Sequence, residues 1–362
     1  MTNPSYPPPL AGEVARASAR DGGGKSARRL PPSVPSLRSG HLPRKRGRIS
    51  GEFELIATLF APLATSPGAF GLTDDAAAIA VPRGHELVVT TDAIVEGVHF
   101  LATDPPDTIA QKALRVNLSD LAAKGAWPLG YLLALSLPKR IDFDWLEQFA
   151  KGLAKDQREF AVTLLGGDTT ATPSRLTIAV TALGAVPKGA MIRRKGAKPG
   201  DLVFVSGTIG DAAAGLALLR RKAKTPRVLI ARYRTPSPRL SLGVALRGIA
   251  SAAIDVSDGL LADLGHIAEV SKARIAIDVG RIPLSRSLRA LGGSATSAAT
   301  AGDDYEIAFT APARKRAAVA IAAKAAGVRI AEIGRVEKGE GVVLLDDGER
   351  EIAVHRKGYT HF

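Results

Sequence analysis

The sequence predicts a two-domain α/β protein, mixed in its strand directions, and three observations carry that expectation. The chain has 362 residues, enough for two domains of ordinary size. From Gly51 onward, helical and strand patterns alternate. Midway, the polar stretch Lys195-Gly-Ala-Lys-Pro-Gly-Asp201 interrupts them and marks a boundary near residue 190. A hydrophobic content of 46% is ample for a core. No apolar run is long enough to cross a membrane, and the N-terminus lacks a secretory-type apolar segment. There are no cysteines, which excludes disulfides, thiolate metal sites and cysteine nucleophiles. A cytoplasmic location without a membrane partner follows by default.

Taken in order, Phe53 to Ala61 reads as a short helix. Ala77–Val81 and Leu87–Thr91 read as strands joined by a Pro-Arg-Gly turn. Thr108 to Lys124 is helical, with Gly125 as its stop signal. A strand at Leu132–Leu137, a helix at Trp145 to Phe160 and strands at Thr163–Leu165 and Leu176–Val186 complete the first half, residues 51–190. The second half, residues 191–362, opens on a strand at Leu202–Ser206. Helices follow near 211–222 and 239–249, then a buried strand at Ala252–Asp255. Leu260 to Val270 is a helix, Arg274–Asp278 and Tyr305–Thr310 are strands, Arg314 to Ala326 is a helix and Val342–Leu345 a strand.

Residues 1–50 differ from all of this. They are rich in Pro, Gly, Ser and Arg and have no hydrophobic periodicity, the composition of a disordered basic extension. An upstream, non-native start of translation would give the same segment. Its ten Lys/Arg against Glu13 and Asp21 hold +8 of the formal +14, leaving +6 over the rest. That remainder suits anionic substrates and does not demand nucleic acid. Gly22-Gly-Gly-Lys-Ser26 mimics the end of a phosphate-binding loop. The Gly that the motif requires is Ala19, and no strand precedes it.

The chemistry lies in aspartates set among small residues. They occur in Leu72-Thr-Asp-Asp-Ala76, Thr90-Thr-Asp92, Asn117-Leu-Ser-Asp120, Gly166-Gly-Asp-Thr-Thr170, Asp255-Val-Ser-Asp-Gly259 and Gly302-Asp-Asp-Tyr-Glu306. Small neighbours let backbone and ligand approach a carboxylate closely. Converging loops of this kind form an oxygen cage for a hard cation, and Mg²⁺ is commonly held by a few carboxylates plus substrate phosphates. Each motif also has an ordinary structural reading. Asp74-Asp75 could be a turn pair, and Thr90-Thr-Asp92 a helix cap. Asn117 and Asp120, one turn apart, could be a polar stripe. His99 could be structural, and Arg193 and Arg194 solvated or phosphate-binding.

Nine motifs in order, these six and three more, over some 310 residues from Gly51, resemble thiamine-monophosphate kinase. Besides the aspartate motifs the resemblance rests on Gly-Glu-Phe-Glu-Leu-Ile at 51–56, Arg-Lys-Gly-Ala-Lys-Pro-Gly-Asp at 194–201 and Lys-Gly-Tyr-Thr-His-Phe at 357–362. It implies the fold of the aminoimidazole ribonucleotide synthetase superfamily, with N-terminal strands closing a barrel across a homodimer. It implies phosphoryl transfer from ATP to thiamine monophosphate with several Mg²⁺ ions. The family's metal ligands fall on Asp75, Thr90, Thr91, Asp92, Asp120, Asp168, Asp255 and Asp258. Its ATP contacts fall on Gly167, Asp168, Arg194 and Ser257, with Asp168 and Arg194 as the catalytic pair. Its acceptor contacts fall on His99, Asp303 and Tyr359. One departure is Asp303, where the family usually carries Glu.

The rival readings are another superfamily member, such as an ATP-dependent ligase of purine synthesis, and nucleic-acid binding through the basic N-terminus. The second predicts basic patches interleaved with aromatics, and aromatics are 5% of the chain.

Overall fold

The structure is a computed structural model, and residues 51–360 are described from it. The expectations for residues 1–50 and for the terminal His361-Phe362 lie outside these. The described part belongs to one compact unit that begins at Ile49.

The chain enters through α1 (Glu52–Leu55), a wider helical turn at Ile56–Phe60 and a tight turn at Ala61–Leu63. Four strands follow: β1 (His85–Val95), β2 (Trp127–Pro138), β3 (Leu164–Thr172) and β4 (Thr177–Pro187). They form a sheet in the order β1-β4-β2-β3, antiparallel except for the β2–β3 pair. Two helices, α2 (Pro106–Ala123) and α3 (Phe143–Phe160), provide the crossovers. Side chains alternate across this sheet. Val88, Ile94, Leu133, Leu135, Ile178, Val180 and Ala182 are buried on one face, the one α2 packs against. Leu87, Val89 and Leu132 stand exposed on the other.

The second sheet has six strands in the order β10-β7-β9-β5-β8-β6. They are β5 (Asp201–Ser206), β6 (Ala252–Asp255), β7 (Arg274–Asp278), β8 (Ile307–Pro312), β9 (Ile330–Glu337) and β10 (Gly341–Leu345). Helices α4 (Asp211–Arg220), α5 (Arg227–Arg234), α6 (Leu240–Ala245) and α7 (Leu260–Ser271) join or flank them. Short α8 (Arg286–Ala290) and α9 (Ala295–Ala299) follow, and α10 (Arg316–Ala326) precedes β9.

Helix α2 is the hinge of the architecture. It touches β1 and β4 of the first sheet, and β6, β8 and α6 of the second half. Burial on nearly every side explains why its sequence has no clean polar face, and why Ala110, Ala113, Ala122 and Ala123 recur where neighbours approach. A helix so enclosed turns each of its polar residues into a buried group that needs a partner.

Two expectations change, and some elements are added. Ala77–Val81 is not a strand; it runs irregularly, held by one backbone bond from the Ala78 N–H to the Gly68 carbonyl. Its apolar alternation is real, but no strand lies beside it to pair with. The Gly166-Gly-Asp-Thr-Thr segment lies within β3 and does not follow a strand. Its neighbour β2 supports it directly, and a Cβ on Gly167 would overlap the Leu133 carbonyl. Helices α5, α8 and α9 and strand β9 are additions. Three arginines disguise α5, and Gly334 and Arg335 interrupt the apolar run of β9.

Candidate active site

The inner group of site residues gathers where α2 meets the first strand and the ends of the second sheet. Alternation on β1 points Thr90 and Asp92 toward α2. The Thr90 hydroxyl donates to Asp120 Oδ2 at 2.5 Å, and the Asp92 N–H donates to Asn117 Oδ1 at 3.0 Å. Asn117 Nδ2 is satisfied in turn by the Ala113 carbonyl at 3.0 Å. The i, i+3 pair on α2 thus docks β1 by two polar contacts.

Strand β6 brings Asp255 to the same place. Its carboxyl is raised well above the usual range, by burial first, then by the charges of Asp120 and Asp263. The Asp92 side chain is exposed at the surface, yet protein groups crowd around its carboxyl. The resulting desolvation, followed by repulsion from Asp120 and Asp258, raises it to about 6. The negative charge of Asp120 thus bears on both Asp92 and Asp255, the two carboxyls raised here. Lys124 offsets part of this. Its ammonium donates to the Ala253 carbonyl at 2.9 Å, and burial, then the charge of Arg194, lowers it to about 8 while Asp255 and Asp120 pull the other way. Arg194 itself is exposed.

The turn after β6 is fixed by a residue the sequence reading missed. Asp263, on α7, accepts the N–H groups of Ser257, Asp258 and Gly259 at 3.0, 3.1 and 3.0 Å. It shapes the loop that carries Ser257 and Asp258. The signal was an Asp one turn into a helix, the usual mark of an N-terminal cap.

The loop at 302–306 lies directly against that turn. The Asp303 N–H donates to the Ser257 carbonyl at 2.7 Å and the Tyr305 N–H to the Val256 carbonyl at 2.8 Å. Gly302 permits this approach, since a Cβ there would overlap the Ser257 carbonyl. Asp303 and Tyr305 both hold positive φ, at 76° and 51°, a conformation that non-glycine residues keep only when their surroundings impose it. Burial, then Asp303, Asp92 and Asp255, pushes the Tyr305 phenol well up, so its ring borders both acidic groups. Tyr359 joins through its own N–H, which donates to the Asp258 carbonyl at 2.9 Å.

His99 reaches the site through a lysine. Lys112 of α2, nearly inaccessible, donates to the His99 carbonyl and to Asp303 Oδ2, each at 2.8 Å. The His99 ring accepts the Val95 N–H at Nδ1 at 3.0 Å. With Nδ1 an acceptor, Nε2 carries the proton and is a donor.

The remaining residues lie elsewhere. Thr91 faces the opposite side of the first sheet, bonded to the Val180 carbonyl and Thr181 Oγ1 at 3.1 and 3.0 Å. Asp168 lies on that outer face too, by its register with Ala134 and Ala179. Asp74, Asp75, Gly167 and Asp168 line a cavity of about 780 Å³ there, along with Leu132 and Ile79. Asp92 and Asp168 sit on opposite edge strands, three strand spacings or about 14 Å apart. The eight sequence-identified ligands thus form an inner and an outer group within this chain. Among the described residues no three acidic or imidazole groups converge closely enough to hold a metal ion unaided.

Comparison with known proteins bears on what this site is. The family models for AIR synthase related protein, N-terminal domain and C-terminal domain, match residues 73–186 and 198–347. The thiamine-monophosphate kinase of Caulobacter vibrioides is 46% identical over 319 residues, covering 86% of this chain and 90% of that protein. The one of Escherichia coli K12 is 42% identical over 323 residues, covering 86% and 98%. The chain belongs to the thiamine-monophosphate kinase family. Solved structures of the family agree in fold. The Stenotrophomonas maltophilia K279a kinase superposes with a TM-score of 0.72 at 42% identity, over 77% of this chain and 90% of that one. A structure described as AaThiL complexed with AMPPCP and TMP gives 0.69 at 33% identity, over 82% and 97%. The hydrogenase maturation protein HypE in complex with ATP, 21% identical with a TM-score of 0.72, shares the fold.

Proposed function

We propose that this chain phosphorylates thiamine monophosphate to thiamine diphosphate, taking the phosphoryl group from ATP in the presence of Mg²⁺. The observation that carries the reading is the inner group. Asp92, Asp120, Asp255 and Asp258 crowd together at one end of α2, beside a second set, His99, Asp303 and Tyr359. It is supported by the relatives, and by a family structure complexed with AMPPCP and TMP, which we read as an ATP analogue and thiamine monophosphate. The domain models, matching 73–186 and 198–347, support the two-domain division proposed at 51–190 and 191–362. Among the described residues no helix is long and apolar enough to cross a membrane, and we propose a cytoplasmic location.

The donor set fits a hard dication. It consists of carboxylate and hydroxyl oxygens, and the carboxylates repel one another until a cation joins them. Too few converge to encage an ion alone, which suits Mg²⁺ completed by substrate phosphates. We assign Thr90, Asp92, Asp120, Asp255 and Asp258 to the inner site, and Asp75, Thr91 and Asp168 to the outer one. When bound, Mg²⁺ supplies charge neutralisation between two polyanions that would otherwise repel.

The chain's own groups do the rest. The acceptor phosphate is already anionic near neutral pH, so no strong general base is required, and positioning with charge stabilisation suffices. His99 Nε2–H is a donor suited to a phosphate oxygen. Arg194, exposed near Lys124 in the inner group, suits the charge of the transferring group, whereas its expected partner Asp168 stands on the outer face of the first sheet and is not brought beside it within this chain. Gly167 and Ser257 offer backbone and hydroxyl contacts to the nucleotide. Asp303 and Tyr359 receive the thiamine end.

A homodimer is part of this reading. Leu87, Val89 and Leu132, exposed by 39, 56 and 40%, give the outer sheet face an apolar surface next to the outer group. A second copy covering that face would bury it and complete the nucleotide site. Incubation with ATP, Mg²⁺ and thiamine monophosphate should yield thiamine diphosphate and ADP in equal amounts. ATP hydrolysis unaffected by thiamine monophosphate would contradict the assignment.

A further inference from the structure

We infer that Lys112 is a positioning residue of the acceptor site, linking the His99 loop to Asp303 and cancelling the Asp303 charge, so that Asp303 meets the acceptor as a hydrogen-bond acceptor and not as a counter-ion. The inference rests on the function proposed above and refines how its acceptor is recognised.

Three observations support it. Lys112 lies on a helix that is almost wholly buried, and its side chain is 2% accessible. An ammonium so enclosed requires compensation, and its partners are the two segments assigned to the acceptor: the His99 carbonyl and Asp303 Oδ2, both at 2.8 Å. The Tyr233 ring of α5 closes a further side, its centroid 4.0 Å from Nζ. The ammonium is thereby held in one place by three segments far apart in sequence.

Charge decides the consequence. Asp303 is one quarter accessible, with Oδ2 committed to Lys112. The pair is close to neutral as seen from the cleft. A cationic ring arriving there gains little net attraction, whereas an amino donor can still bond to Asp303. The strained φ of Asp303 fits the same role, since the backbone is held where the carboxylate meets the lysine. Lys112 also ties the backbone of the His99 loop to the Asp303 carboxylate, and so sets the spacing of the two segments assigned to the acceptor.

The test is a set of full-length variants, K112M, K112R, D303N and the double K112M/D303N, compared with wild type. Measured are kcat, KM for thiamine monophosphate, KM for ATP, and melting temperature. K112M leaves Asp303 charged and misplaced, so KM for thiamine monophosphate should rise about tenfold or more while KM for ATP stays within about twofold. The double variant should recover part of that loss, because removing the unpaired charge restores a neutral acceptor. K112R, keeping charge, should lie between wild type and K112M. D303N, which keeps an acceptor oxygen, should cost no more than about fivefold in the same KM; this arm decides the matter if K112M does not fold. Equal rises in both KM values, a double variant worse than K112M, or a D303N loss as large as that of K112M would overturn the assignment. Wild-type turnover separates this from the broader reading: without it the proposed function fails and the assignment falls with it, and with it the variants judge Lys112 alone.

Discussion

Asp255 shows how much one residue can reveal about a site's purpose. Its carboxyl is held well above the usual range by burial and by Asp120 and Asp263, so ionising it costs stability. A protein keeps such a residue when a ligand repays the cost. Replacing it with Asn removes the repulsion and one ligand charge together. Asp255→Asn should therefore melt at or above the wild-type temperature at pH 8, while turnover falls by about 10²-fold or more. Melting curves and steady-state rates on the same preparation check this; a destabilised variant, or one with near-normal turnover, would contradict it. The aspartates themselves stand out in sequence as carboxylates among Gly, Ser and Thr, although the same pattern also suits turns and caps. Their partners do not. Lys112 and Asp263 lie inside helices where nothing local distinguishes them from solvated or capping residues. Only the fold shows that one is enclosed by Asp303 and Tyr233 and the other by three N–H groups.

At the scale of elements, the long periodic helices and central strands were readable, and the failures share one cause. Each came from a segment whose state is set by a neighbour and not by its own pattern. Ala77–Val81 has strand composition but no adjacent strand, whereas β9 has a broken pattern and two flanking strands to pair with. The Gly166-Gly pair suggested a loop and is instead the edge strand β3, where β2 supplies pairing on one side. The start of α4 carries a testable consequence of such neighbour effects. Fully buried Asp304 accepts the Gly210 and Ala212 N–H groups at 2.6 and 3.3 Å, and burial raises it to about 7 despite those bonds and Arg232. Its folded pKa exceeds the unfolded value of 3.8, so the stability linked to its protonated form is complete at low pH. That stability declines as pH rises toward and through 7. Asp304→Asn should flatten the fall in melting temperature between pH 5.5 and 8.5 relative to wild type. An unchanged slope would remove Asp304 from the account.

For the whole molecule, the family resemblance carried the fold further than periodicity could, since it supplied two linked α/β halves. The two-sheet mixed α/β architecture agrees with it, and the division of site residues between two faces of the first sheet is what sequence spacing could not convey. Alternation places Thr90 and Thr91, adjacent in sequence, on opposite sides. If a second copy covers the outer face, Val89→Glu should shift the protein from dimer to monomer in light scattering. It should also lose most of its turnover, because the outer group loses its cover. A monomeric wild type, or a Val89→Glu protein that remains dimeric and active, would contradict that arrangement.

The central claim is direct transfer of a phosphoryl group onto a substrate phosphate, and one labelling measurement addresses it. ATP labelled at the γ-phosphate, incubated with the protein, Mg²⁺ and thiamine monophosphate, should place the label on the terminal phosphate of thiamine diphosphate. Thiamine without its phosphate should receive none, since the proposed site joins two phosphates across a cation. Label appearing only as inorganic phosphate, or transferred equally well to unphosphorylated thiamine, would contradict the account.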